Sequence, residues 1–245
     1  MVGTMAREFA ARGHRVTAFD VDPQPTLAMT LGIDLEAAEN VNGVPTDLFD
    51  LAVQDRRLTG EEIVDRYGLR GPDGIRLIIA HRIEHVEMHC NSSAHVTVRA
   101  MLKSLIGEAN DVVIVDMEAG LEHFTRGLTL ADVDAMMILV EPFHKSIVTG
   151  RQIALLSGEL GIKRRYAVAN KIRNDGDMPP IEEFCEDTGL ELIGSIPWDT
   201  TVQDAEIRGI APFDFSSEAP AVRASRDLAG TMIQRLQPVP GPAAT

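Results

Sequence analysis

Cysteine is nearly absent from this sequence: its 245 residues include two, Cys90 and Cys185. Two thiols cannot build a disulfide framework, so the reducing cytoplasm is the expected compartment. Long apolar runs are missing too. The longest, residues 135–140, has the length of a strand, far short of the roughly 20 residues that span a bilayer. The opening residues lack the basic-then-apolar order of a secretory signal. Positive charge is in deficit: 23 Lys and Arg face 37 Asp and Glu, a formal net charge of -14. Such a chain repels phosphate backbones, which argues against generic nucleic-acid binding. A nucleotide held by backbone N–H groups and a divalent cation needs no such excess, so that class stays open.

What is present suits one large α/β domain. Hydrophobic residues make up 44% and charged residues 24%, enough for one sizeable core at this length. A helix is expected over 3–12, with Ala6, Phe9 and Ala10 on one face and Gly13 as its stop. A strand at 16–20 follows, then a helical turn at 27–31 ended by Gly32, a helix at 61–67 and a Gly-Pro-Asp-Gly turn at 71–74. Residues 75–80 read as a strand and 94–106 as a helix. The continuous apolar runs 112–115 and 135–140 have the pattern of strands buried on both faces. A helix over 146–160 opens on Ser146 as N-cap. Strands at 166–170 and 190–196 and helices at 181–188, 201–208 and 219–235 complete the pattern. Residues 1–236 therefore read as one unit, and the Pro/Gly/Ala-rich tail 237–245 as disordered. Strands alternating with helices predict a mostly parallel sheet with helices on both faces. Ligands in such sheets sit beyond the carboxyl ends of the strands.

Polar groups stand at three of those ends. Asp20-Val21-Asp22-Pro23 follows the first strand, Asp116 closes the run 112–115, and Asn170-Lys171 closes the strand 166–169. A carboxylate there can hold Mg²⁺ through water or orient an attacking water. It can equally cap a turn, the commoner use of a single Asp. Three such groups in one sheet favour a site.

The segment VTAFDVDPQ (16–24) resembles the D-x-D-P stretch of MinD/ParA-type deviant-Walker P-loop ATPases. VVIVDMEAGLEHFTRGLT (112–129) is more specific, and resembles the Walker B and switch region of the carbon monoxide dehydrogenase maturation ATPases within that class. AVANKI (167–172) and SIPWDTTVQDAEIRGIAP (195–212) resemble the base-recognising strand end and the stretch beside base and ribose. The resemblance runs over nearly the whole chain in order. It implies an ATPase fold with ATP and Mg²⁺ as ligands. Asp22 would position the attacking water, with Asp20 near the Mg²⁺ shell and Asp116 binding Mg²⁺ through water. Gly120 would let the backbone approach the γ-phosphate, since it has no Cβ. Asn170, whose amide both donates and accepts, would read adenine, with Lys171 and Pro197 beside it. A homodimer and a client metalloenzyme are the implied partners.

Two departures qualify the resemblance. No glycine-rich loop with its lysine, the element that cradles phosphates between the first strand and helix of this family, occurs in the sequence. By the family spacing it would fall just before Met1, so the reading expects a strand and loop upstream. The alternative is a degenerate relative that does not hydrolyse ATP. A central strand would be missing as well, leaving its neighbours unpaired or forced together. The second departure is at the metal. Where the maturation ATPases carry Cys-x-Cys, this sequence has Cys90-Asn91-Ser92. Two Cys90 thiolates across a dimer axis, helped by His89, His85 or His95, would hold nickel or zinc, which wants four ligands. Cys90 could equally be a small buried residue. Two functions remain: an ATP-driven metallochaperone for a carbon monoxide dehydrogenase-like enzyme, or a MinD/ParA-like positioning or partitioning switch. The C-terminal helix lacks the basic amphipathic character of a membrane-binding switch.

Overall fold

The computed structural model describes residues 1–22, 26–41, 44, 59–79, 111–117, 120 and 133–236. The expected helix 94–106, Cys90 with its neighbouring histidines, Glu122 and the tail 237–245 lie outside them.

The chain opens with helix α1 (Val2–Ala11). Met5, Ala6 and Phe9 form its inner face and are almost fully buried. Burying side chains the size of Met5 and Phe9 stabilises by about 1.5–3 kcal/mol each. Gly13, at φ +88°, reverses the chain. The N–H of His14 donates to the Phe9 carbonyl and that of Gly13 to the Ala10 carbonyl, so two of the helix's last carbonyls are satisfied. Strand β1 (Arg15–Asp20) follows. Short helices α2 (Leu27–Leu31) and α3 (Leu35–Asn40) come next, then α4 (Gly60–Tyr67) and strands β2 (Gly68–Arg70) and β3 (Arg76–Ile79). The Gly-Pro-Asp-Gly turn is a 3₁₀ turn over Pro72–Gly74. Strand β4 (Asp111–Asp116) precedes β5 (Met136–Val140). The remaining elements are α5 (His144–Glu159), β6 (Arg165–Ile172), α6 (Pro179–Thr188), β7 (Glu191–Pro197), α7 (Thr200–Ile207), α8 (Pro212–Phe215) and α9 (Pro220–Leu236).

Where one sheet is expected, the described strands form two, in the orders β2-β3-β1-β4 and β5-β6-β7. All pairings are parallel except β2 with β3. The two sheets share a core. Val16, Ala18 and Ile114 of the first and Val168 and Ile196 of the second belong to one apolar cluster with Met5, Ala6 and Phe9 of α1 and Leu228, Ala229 and Met232 of α9. Helix α4 covers the other face of the first sheet, where Ile63 and Val64 meet Phe19 and Ile78. Helices α5 and α6 pack on the second sheet through Ile147, Ala154, Ile181 and Phe184. Helices thus lie on both faces, as expected of this class.

Several expectations need correction. Strand β4 is not buried on both faces: Ile114 alone of its residues is buried. Among the described residues β4 pairs only with β1, so one of its edges lacks a neighbouring strand. Ser146 is not the N-cap of α5. The helix starts two residues earlier, and the Ser146 hydroxyl instead accepts a hydrogen bond from the N–H of Glu141 at 2.9 Å. Strand β6 does not stop at Asn170 but continues to Ile172. Helix α3, capped by the Asp34 side chain, and the short β2 and α8 were not anticipated.

Candidate functional site

Strands β1 and β4 run in parallel, and their last residues, Asp20 and Asp116, are register partners. Register partners in a parallel pair point to the same face. That face is the one on which Val16, Ala18 and Ile114 pack against α1. The two carboxylates therefore lie side by side at the carboxyl end of the sheet, beside the start of α1. A helix N-terminus presents unsatisfied N–H groups and partial positive charge to such a place. Asp22, two residues beyond β1, is close enough for its charge to act on both.

The electrostatics follow from that crowding. Burial, and then the charge of Asp20 nearby, push the Asp116 carboxyl up to about 6. Burial also raises Asp20, with the Asp22 charge acting in the same direction, against hydrogen bonds from backbone N–H groups. Those bonds include one from Leu27 at 2.9 Å and one from Asp22 at 3.2 Å, to different carboxylate oxygens, and a third from Thr26. Asp20 therefore serves as the cap of the loop into α2, the plainer of the two roles expected for a strand-end Asp. The amino group of Met1 lies by Asp116; burial lowers its pKa while the Asp116 charge opposes the shift. Two raised carboxylates at neighbouring strand ends, Asp20 and Asp116, with Asp22 near enough to act on both, offer oxygen donors only. Such a set fits a hard cation of the Mg²⁺ kind, which would relieve their mutual repulsion.

Gly120 stands four residues past Asp116 at φ +143°, a conformation that residues with a Cβ rarely adopt, and none of the described residues lies within 4 Å of where a Cβ would be. Backbone conformation rather than a crowded neighbour calls for glycine there. Glu118, Glu122 and His123 of the same segment lie outside the described residues.

The second group of expected residues sits on the other sheet. Asn170 is the register partner of Ile196, and Ile172 that of Pro197, with the register shifting between them. Lys171 bulges out of the ladder at φ +57°. Asn170, Lys171 and Pro197 are thus neighbours at the carboxyl end of β6 and β7. The N–H of Trp198 donates to the Ile172 carbonyl at 2.8 Å, and the Arg173 guanidinium lies 4.7 Å from the centre of the Trp198 ring. Arg173, Trp198 and Glu141, whose carboxylate is 2.7 Å from the Lys171 ammonium, were not singled out from the sequence. No local pattern signals contacts between residues so far apart in the chain. Cys90 lies outside the described residues, and among those described no cluster of three metal-ligating side chains occurs.

Comparison with known proteins agrees with this fold. The model of the CobQ/CobB/MinD/ParA nucleotide binding domain matches residues 1–213. The chain is 31% identical to the carbon monoxide dehydrogenase accessory protein CooC of Rhodospirillum rubrum, over 98% of this chain and 94% of that protein. It is 32% identical to an uncharacterised ATP-binding protein of Methanocaldococcus jannaschii, over 89% of this chain and 87% of the relative. Among solved structures, the septum site-determining protein MinD of Pyrococcus horikoshii, complexed with Mg-ADP, superposes with a TM-score of 0.69. It is 16% identical and covers 97% of this chain and 92% of its own.

Proposed function

Because this chain belongs to the CobQ/CobB/MinD/ParA nucleotide-binding family, we propose that it is an ATP-dependent maturation factor for a metalloenzyme of the carbon monoxide dehydrogenase kind. The observation that carries the reading is the pairing of Asp20 with Asp116 at the carboxyl ends of adjacent parallel strands, beside the N-terminus of α1. The similarity to CooC supports the accessory role.

Asp116 would hold Mg²⁺ through its water shell, with Asp20 beside that shell, and Asp22 would orient the attacking water. Mg²⁺, when bound, would supply positive charge that offsets that of the phosphates. The Gly120 backbone follows the terminal phosphate. Asn170 reads the adenine edge through its amide, flanked by Lys171 and Pro197. Two copies of the chain close on ATP and reopen on hydrolysis in the cytoplasm. Nickel or zinc is cargo, carried by Cys90 thiolates from both copies.

On this reading a strand carrying the phosphate loop of the family would fit between β4 and β5. Among the described residues both are edge strands of sheets that share one core. A strand parallel to both would end on the Asp116 side and lead into α1 as a βα unit. The 245 residues alone are expected not to hydrolyse ATP.

The test is equilibrium dialysis of Ni²⁺ and Zn²⁺ against the protein carrying its upstream strand and loop, with ATP or ADP. The proposal expects metal uptake that changes with the nucleotide and is lost in Cys90→Ser. Uptake in neither nucleotide state would remove the metallochaperone role.

A further inference from the structure

The β6 bulge is an unusual place for a lysine. At φ +57° Lys171 occupies the left-handed region, which an L-residue enters at a cost of about tenfold or more in population. Glycine would adopt it freely. The register explains what the bulge does: Val140 pairs with Ala169, Asn170 with Ile196 and Ile172 with Pro197, so Lys171 alone is extruded. Extruding one residue re-aims its neighbour, and such bulges recur beside binding sites.

Downstream, the bulge is clamped by the Trp198 N–H on the Ile172 carbonyl at 2.8 Å and by the Arg173 N–H on Asp177 Oδ2, also at 2.8 Å. Upstream, the Lys171 ammonium is 2.7 Å from Glu141 Oε1. Glu141 is not a loose surface acid. It follows Val140 directly at the end of β5. Its N–H donates to the Ser146 hydroxyl at 2.9 Å, and its carbonyl accepts from the Phe143 N–H at 2.8 Å. The anchor is therefore fixed at the level of the sheet where Asn170 stands.

We infer that Glu141 is a positioning residue for base recognition: held by Ser146, it ties Lys171 into the left-handed bulge and so sets the direction of the Asn170 amide. The inference rests on the reading that Asn170 faces the base. It adds a residue, a contact and a reason for lysine at this position.

Two measurements test it. The first uses the 245-residue chain itself and follows hydrogen exchange of the Trp198 N–H. Glu141→Gln should speed that exchange about threefold to fivefold, the worth of a partly exposed ion pair, with the melting temperature lowered by no more than about 4 °C. In a Lys171→Gly background, where the bulge needs no tie, Glu141→Gln should have no effect. Equal acceleration in both backgrounds, or none in either, would overturn the tie. The second measures ATP against GTP binding to the protein carrying its upstream strand and loop. Glu141→Gln should reduce the preference for ATP about threefold to fivefold, and Asn170→Ala should abolish it. If Asn170→Ala abolishes the preference while Glu141→Gln leaves it intact, the positioning role fails and the base reading stands. If Asn170→Ala changes nothing, the base reading fails and takes this inference with it.

Discussion

At the scale of single residues, the most consequential feature is a carboxyl group kept near neutrality. Asp116, raised to about 6 by burial and by Asp20, binds its proton more tightly folded than unfolded. Stability from this group is fully present below about pH 4 and is lost as pH rises through about 6. The shift corresponds to about 3 kcal/mol. Asp20, raised as well, acts with the same sign. Asp116→Asn should therefore flatten the decline in stability between pH 4 and 6 and raise the melting temperature at pH 7.5 by about 5 °C. Thermal melts from pH 4 to 8 check this. A variant that melts lower at pH 7.5 with an unchanged pH slope would contradict it. The positions of Asp20, Asp116 and Asn170 were legible in the sequence because each follows an apolar run, and strand ends are where α/β folds keep ligands. Their partners were not. Lys171 with Glu141 and Arg173 with Trp198 meet only once β5, β6 and β7 are aligned.

At the scale of elements, close packing of α1 on α2 depends on Gly3. A Cβ there would lie 2.4 Å from Thr30 Oγ1 and 2.7 Å from the Thr30 carbonyl oxygen, and backbone cannot step aside. Gly3→Val should cost about 1–3 kcal/mol, read as a lower midpoint in urea unfolding; an unchanged midpoint would mean that α2 moves freely. Helix α1 is also tied by Arg7, which is buried yet bonds Asp73 at 2.7 Å and Asp214 at 2.9 Å. Its guanidinium additionally donates to the Leu31 carbonyl at 3.2 Å and stacks 4.8 Å from the Phe213 ring centre. Lysine cannot reproduce that fork. Arg7→Lys should destabilise by about 1–3 kcal/mol in the same assay. Elements with strong periodicity or glycine stops, such as α1 and α2, were legible to within a residue or two. The start of α5 was misread because Ser146 has a hydroxyl suited to capping its own helix, but here it turns back to Glu141. Short elements such as β2 and α8 carry too few residues for a period to register.

At the scale of the whole molecule, the division into two sheets organises everything else. One sheet carries the aspartates, the other carries Asn170, and α1 and α9 pack against the cluster they share. The α/β class was legible from alternation alone. That β4 and β5, among the described residues, would not pair could not be read from alternation. Helix α9 buries Val222, Leu228 and Met232 in packing, which leaves its apolar face committed to the fold. The central claim is that the aspartate end and the Asn170 end form one nucleotide site when a strand with a phosphate loop joins the sheets. Calorimetric titration of ATP, with and without Mg²⁺, into the protein carrying that upstream segment tests it most directly. The account predicts one ATP per chain, dependence on Mg²⁺, and loss of that dependence in Asp116→Ala. A folded, extended protein that takes up no ATP, or binds it equally well without Mg²⁺ and without Asp116, would contradict it.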